Sequence, residues 1–187
     1  MKKTLSILLS LLCFSAISAQ AQFKATPDGV STINGDQFYV VEISGKSADE
    51  LYSAVETYIM THFRNPDAVT NSAPSKLINL HAVYGDAFLA VKYMGNQFAD
   101  VDMNLIIHFK DGKIRFDIPK INSMPMEKGP GGWEEAVFSG ASLTATAMFN
   151  KKGQPKNPDV VDSFNAFING VVADIVSAAK ADVSDDW

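Results

Sequence analysis

The sequence predicts an α+β domain of two layers, an antiparallel sheet with two helices on one face, in the order strand, helix, four strands, helix. Three observations carry this. Residues 101–118 alternate between apolar and polar on both sides of Asp111-Gly112, the pattern of a β-hairpin. Two stretches, from Ser47 and from Pro158, repeat apolar residues at helical spacing behind capping signals. One β-branched and aromatic run, 38–43, stands ahead of the first of these stretches.

The chain has 187 residues and opens Met1-Lys2-Lys3, followed by an apolar run from Leu5 to Ile17. The run is short of the ~20 residues needed to span a bilayer. Ala19 and Ala21 form an A-x-A site, so residues 1–21 read as a signal peptide cleaved after Ala21. Cys13, the only cysteine, lies inside that apolar run. The cleaved chain, a single domain over 22–187, is then expected to lack disulfides, thiol chemistry and cysteine-held zinc. Its expected location is periplasmic or extracellular.

The whole chain carries a formal charge of −5, and losing Lys2 and Lys3 makes the remainder more acidic. Nucleic-acid binding rests on neutralising phosphates, so nucleic acid is not an expected partner. Docking on an anionic membrane surface is disfavoured for the same reason. No later segment is read as a membrane span.

Residues 22–36 lack a sustained period and read as an irregular lead-in with at most one short strand. Phe38–Ile43 is a strand. Ser47-Ala48-Asp49-Glu50 is a capping box, and Leu51, Val55, Ile59 and Phe63 follow as one helical stripe. Pro66 ends that helix near Phe63. Residues 65–76 read as a polar connection. Two strands, 77–83 and 87–94, are expected around a turn at Tyr84-Gly85-Asp86.

The hairpin register follows from a two-residue type I′ turn at Asp111-Gly112. Lys110 then opposes Lys113, and Phe109/Ile114, Ile107/Phe116 and Leu105/Ile118 form apolar pairs. A one-residue slip would set polar groups against them. The other face pairs His108 with Arg115 and Ile106 with Asp117, and Pro119 ends the hairpin.

Residues 121–157 contain Met124-Pro125-Met126 and Gly129-Pro130-Gly131-Gly132 and read as an irregular insertion. Asn157-Pro158-Asp159 starts the last helix, expected over 158–182. Its apolar stripe is Val161, Phe164, Ile168, Val171, Ile175 and Ala179, and Gly170 suggests close packing against the sheet. Asp182–Trp187 is an acidic tail.

Gly45-Lys46-Ser47-Ala48-Asp49-Glu50-Leu51-Tyr52 and Phe109-Lys110-Asp111-Gly112-Lys113-Ile114-Arg115-Phe116, behind an export signal and a strand, resemble a known family. It comprises exported bacterial domains of unknown function assigned a TATA-binding-protein-like fold. The match covers roughly 38–121. The resemblance implies that fold and an exported location, and no activity.

No G-x-S-x-G nucleophile turn, no H-x-x-x-H pair and no calcium loop occurs in the sequence. No metal, cofactor or catalytic residue is therefore expected. Asn104, His108, Arg115 and Asp117 fall on the face opposite the apolar pairs, and His81 joins them if Leu77 and Asn79 also point there. There Arg115 can hold an anionic group and His108 can respond to pH. Trp133, with Phe138, Met124 and Met126, makes a second candidate contact surface or lid. The expected function is a non-enzymatic binding module for a protein or small-molecule ligand, with a homodimer as another occupant of the open face. The alternative is a small hydrolase built around His81, His108 and Asp117.

Overall fold

A computed structural model describes residues 22–91, 95–125, 138–139 and 147–181. The expected leader, Trp133, the acidic tail and most of the 121–157 segment lie outside these residues.

The expected lead-in is a hairpin. Strand β1 (Phe23–Thr26) pairs antiparallel with β2 (Gly29–Thr32) through the two-residue turn Pro27-Asp28. Periodicity missed it because each strand is four residues long. Strand β3 (Phe38–Glu42) and helix α1 (Ala48–His62) follow as predicted. Ser47 caps α1 with both halves of the capping box present, and Leu51, Val55 and Ile59 are buried.

The polar connection holds more structure than its composition indicates. Pro66–Val69 forms a single turn, α2, and Thr70–Ala73 forms edge strand β4. A further correction concerns the expected turn at Tyr84-Gly85-Asp86. The chain runs through it as one strand, β5 (Leu77–Val91), with a register shift between Tyr84 and Phe88. Asp86 takes a left-handed φ of 49°, and its amide donates to Asp100 Oδ1 at 2.9 Å. Gly and Asp mark a bulge here rather than a reversal.

Strand β6 (Gln97–Lys110) and strand β7 (Lys113–Asp117) form the predicted hairpin, with Ile107/Phe116, His108/Arg115, Phe109/Ile114 and Lys110/Lys113 opposed as expected, while the expected Ile106/Asp117 and Leu105/Ile118 fall beyond the paired stretch. The turn type differs from expectation. Gly112 has a φ of 73° while Asp111 stays out of the left-handed region, so it is not type I′. The cause is tertiary: Gly112 O accepts from Ile43 N, Gly112 N donates to Lys46 O, and Asp111 Oδ1 accepts from Ala48 N. The predicted insertion starts with a fourth short strand, β8 (Lys120–Ser123). It pairs with β6 at Asp102–Asn104, beyond the stretch that β7 occupies. Ile118 and Pro119 separate the two strands that share this side of β6.

The main sheet has the order β3-β7-β6-β5-β4, with β8 beside β6. Helices α1 and α3 (Pro158–Lys180) cover one face, whose core includes Ile78, Leu80, Met103, Leu105, Ile107, Ile114 and Phe116. Tyr52 of α1 meets Phe109 edge-on, and Phe164 of α3 meets Phe88 likewise.

By length and composition alone, α3 could cross a membrane, which the sequence reading had overlooked. Its buried Val160, Phe164, Ile168, Val172, Ile175 and Ala179 pack into the hydrophobic core instead. Val160 and Val172 take the places expected of Val161 and Val171. Gly170 is exposed, and a Cβ there would meet open space, so close packing does not explain it.

Candidate functional site

The second face of the sheet is covered by no described element. Strand alternation assigns it Phe38, Val40 and Glu42 of β3, Lys113, Arg115 and Asp117 of β7, and the even residues 98–110 of β6. From β5 come Leu77, Asn79, His81 and Val83, since Leu77 opposes His108, Asn79 opposes Ile106 and His81 opposes Asn104. His81 therefore joins the predicted face.

Its polar groups form two separate networks. In the first, Asp117 holds two neighbours, one across the hairpin and one on its own strand: His108 Nε2 lies 3.0 Å from Oδ2, and Arg115 Nε lies 3.1 Å from Oδ1. The Arg115 contact is an ion pair without hydrogen-bond alignment, because its buried Nε has no hydrogen-bond partner among the described residues. The guanidinium also lies over Phe38, 5.1 Å from the ring centre. In the second network, Asp102 Oδ1 receives His81 Nε2 at 2.8 Å and Asn122 Nδ2 at 3.0 Å. The same Asn122 amide reaches Asn104 Oδ1 at 3.2 Å, and Asn104 Nδ2 donates to Asn79 Oδ1 at 3.4 Å.

The face thus unites His108, Arg115 and Asp117, places Asn104 and His81 in the second network, and separates the two histidines. His108 opposes Leu77, four residues from His81, a run of about 13 Å at strand rise. The grouping of His81 with His108 and Asp117 is not a convergent site. No cluster of three or more metal-ligating side chains occurs among the described residues.

Sequence reasoning missed Phe38, Asp102 and Asn122 as members of the face, and named Asn79 only as the condition for His81. The alternation of β6 already placed Asp102 beside Asn104. Phe38 needed the β3–β7 register, and Asn122 needed β8. The proposed aromatic loop fares differently: Met124 and Phe138 are buried in the core, and Phe138 packs edge-on against Phe164. Their apolar side chains tuck in rather than face a partner.

At the hairpin end of the open face, Val40, Glu42, His108, Phe109, Lys110, Lys113 and Arg115 line a shallow depression of about 560 Å³. A narrower groove of about 250 Å³ runs between α1, α2 and β4, where Tyr52 Oη contacts Glu56 Oε1 and Ser72 Oγ at 2.8 and 3.1 Å.

No family model matches the chain, and no curated protein matches it. Two crystal structures do match by shape. A TBP-like protein from Parabacteroides distasonis ATCC 8503 superposes with a TM-score of 0.52 at 15% identity, covering 76% of this chain and 90% of that one. A DUF4468 family protein from Bacteroides ovatus ATCC 8483 gives 0.53 at 13% identity, covering 79% and 86%. At such identities the likeness is one of fold, and the chain is an α+β domain with the TATA-binding-protein-like fold that the resemblance implied.

Proposed function

We propose that this chain is an exported, non-enzymatic binding module whose open sheet face holds its ligand. One observation carries the reading: both long helices pack on the same face, leaving the other as a broad array of ordered side chains. Cross-strand pairing fixes those side chains before any ligand arrives, which lowers the entropic cost of binding. Half-exposed Phe38, Val83 and Phe98 add apolar contact area among the polar groups. The separation of His81 from the His108–Asp117 pair weakens the hydrolase alternative.

Export rests on the sequence pattern of residues 1–21: a basic start, a short apolar run and the A-x-A site at Ala19 and Ala21. Gln22 N donates to Asn169 Oδ1 and Gln22 O accepts from Ile33 N.

Native mass spectrometry of the protein purified from its own host tests the binding reading, with Val83→Arg as the comparison. An adduct or partner on the wild type that is lost from the variant is the expected result. An adduct equally retained by the variant, or a bare mass for both, would sink it.

A further inference from the structure

Two pairs of basic side chains lie directly opposite each other at the hairpin end of the open face: His108 with Arg115, and Lys110 with Lys113. Directly opposed like charges destabilise a sheet. Here they meet in a chain whose net charge is −5. The opposing carboxylates only partly offset them. Glu42 Oε1 lies 3.7 Å from Lys113 Nζ, at the far limit of an ion pair, and Asp117 sits behind Arg115 and His108. All of these groups except Asp117 line the depression of about 560 Å³, with Val40 as its apolar floor.

Arg115 is oriented in advance. Asp117 engages its Nε side and Phe38 lies under its plane, so the guanidinium is positioned from two directions. Its terminal nitrogens form no hydrogen bond among the described residues, and they are the fork that accepts a carboxylate in bidentate fashion.

We infer that this depression is a subsite for a small amphipathic carboxylate. Arg115, Lys110 and Lys113 take the carboxylate, and an apolar body lies against Val40 and the nearby Phe38. The inference rests on the open-face reading and gives it a ligand class.

Titrations with benzoate, benzamide and inorganic phosphate, followed by backbone amide NMR, test it. Benzoate should shift the amides of Val40, His108, Lys110, Lys113 and Arg115 saturably, with benzamide at least ~10-fold weaker for want of the charge. Phosphate should shift the same amides more weakly than benzoate. Arg115→Gln should lower benzoate affinity at least ~10-fold.

Lys110→Gln separates this site from a structural role, because relieving the Lys110/Lys113 repulsion should raise the melting temperature while weakening benzoate binding. Benzamide binding as tightly as benzoate, phosphate matching benzoate, or indifference to Arg115→Gln would each overturn the inference. A host-derived adduct that survives Arg115→Gln but not Val83→Arg would sink this subsite and leave the broader reading standing.

Discussion

Asp111 Oδ1 accepts a hydrogen bond from the Ala48 amide at 2.9 Å, so the tip of the β6–β7 hairpin caps the first turn of α1. The two sequence stretches that carry the family resemblance, 45–52 and 109–116, are therefore one joint. The same joint holds Lys46 O to Gly112 N and Ile43 N to Gly112 O. Their similarity to a family motif reports how the helix is fastened to the sheet, and needs no catalytic explanation.

Asp111→Ala should cost about 1 kcal/mol, the usual scale for losing a helix cap. Ser47→Ala, which removes the side chain receiving Glu50 N, should cost a similar amount. Because both act on one helix end, the double variant should depart from additivity. Urea denaturation of the four proteins measures the coupling; strict additivity would mean that the two caps act independently.

Tyr84 packs edge-on between Phe63 and Phe167, and its buried hydroxyl has no hydrogen-bond partner among the described residues. Burial pushes its ionisation far above the ordinary phenol range. The folded value lies above the unfolded one, so this contribution to stability is complete below about pH 10 and is lost as the pH rises through the folded value. Tyr84→Phe should leave neutral-pH stability equal or higher by up to about 1 kcal/mol. Its loss of stability between about pH 10 and 12 should be smaller than that of the wild type. Melting temperatures across that range check both statements.

Asn169 Oδ1 accepts from the amides of Gln22 and Phe23, at 2.6 and 3.0 Å, and its Nδ2 donates to Phe23 O at 2.8 Å. One turn earlier, Asn165 Oδ1 accepts from Ala25 N at 2.7 Å. These side chains serve as a partner for the free edge of β1. Asn169→Ala should destabilise the fold by about 2–3 kcal/mol, since it leaves part-buried backbone groups unsatisfied. Hydrogen exchange should quicken first at Phe23 and Ala25; unchanged protection there would contradict this account of the docking.

Gly170 lies exposed within α3, with free space where a Cβ would stand. Gly170→Ala should stabilise the chain by about 0.5–1 kcal/mol through helix propensity and a less flexible unfolded state. Thermal melting reads this directly, and a fall in melting temperature would point to a constraint outside the described residues.

The helices and the central hairpin were legible because each carries a long apolar period joined to a stop or start signal. Ser47–Glu50, Asn157–Asp159 and the alternation through Phe109–Phe116 each combine local propensity with a face to bury. The missed elements are short: β1, β2, β4 and β8 have four residues apiece, too few for a period, and tertiary pairing stabilises them. The turn expected at Gly85 failed because the same residue types serve bulges and reversals, and only the pairing of β5 with β6 tells them apart. The open face was half visible. Alternation placed Asn104, His108, Arg115 and Asp117 together, but Phe38 and Asn122 belong to strands whose register no local pattern fixes.

The docking of β1 on α3 has a consequence for how the chain reaches its final form. Gln22 and Asn169 are 147 positions apart, so the first strand to leave the ribosome must wait for almost the last helix before its outer edge is satisfied. Anything delivered N-terminus first, through a ribosomal tunnel or a translocation pore, passes through a period in which 22–32 has no helix to rest on. The central hairpin can close within its own sequence neighbourhood, whereas the clasp between β1 and α3 is a late event. Completion of the fold thus waits for α3, and a chain halted before that helix would remain open for a chaperone to hold or a protease to remove.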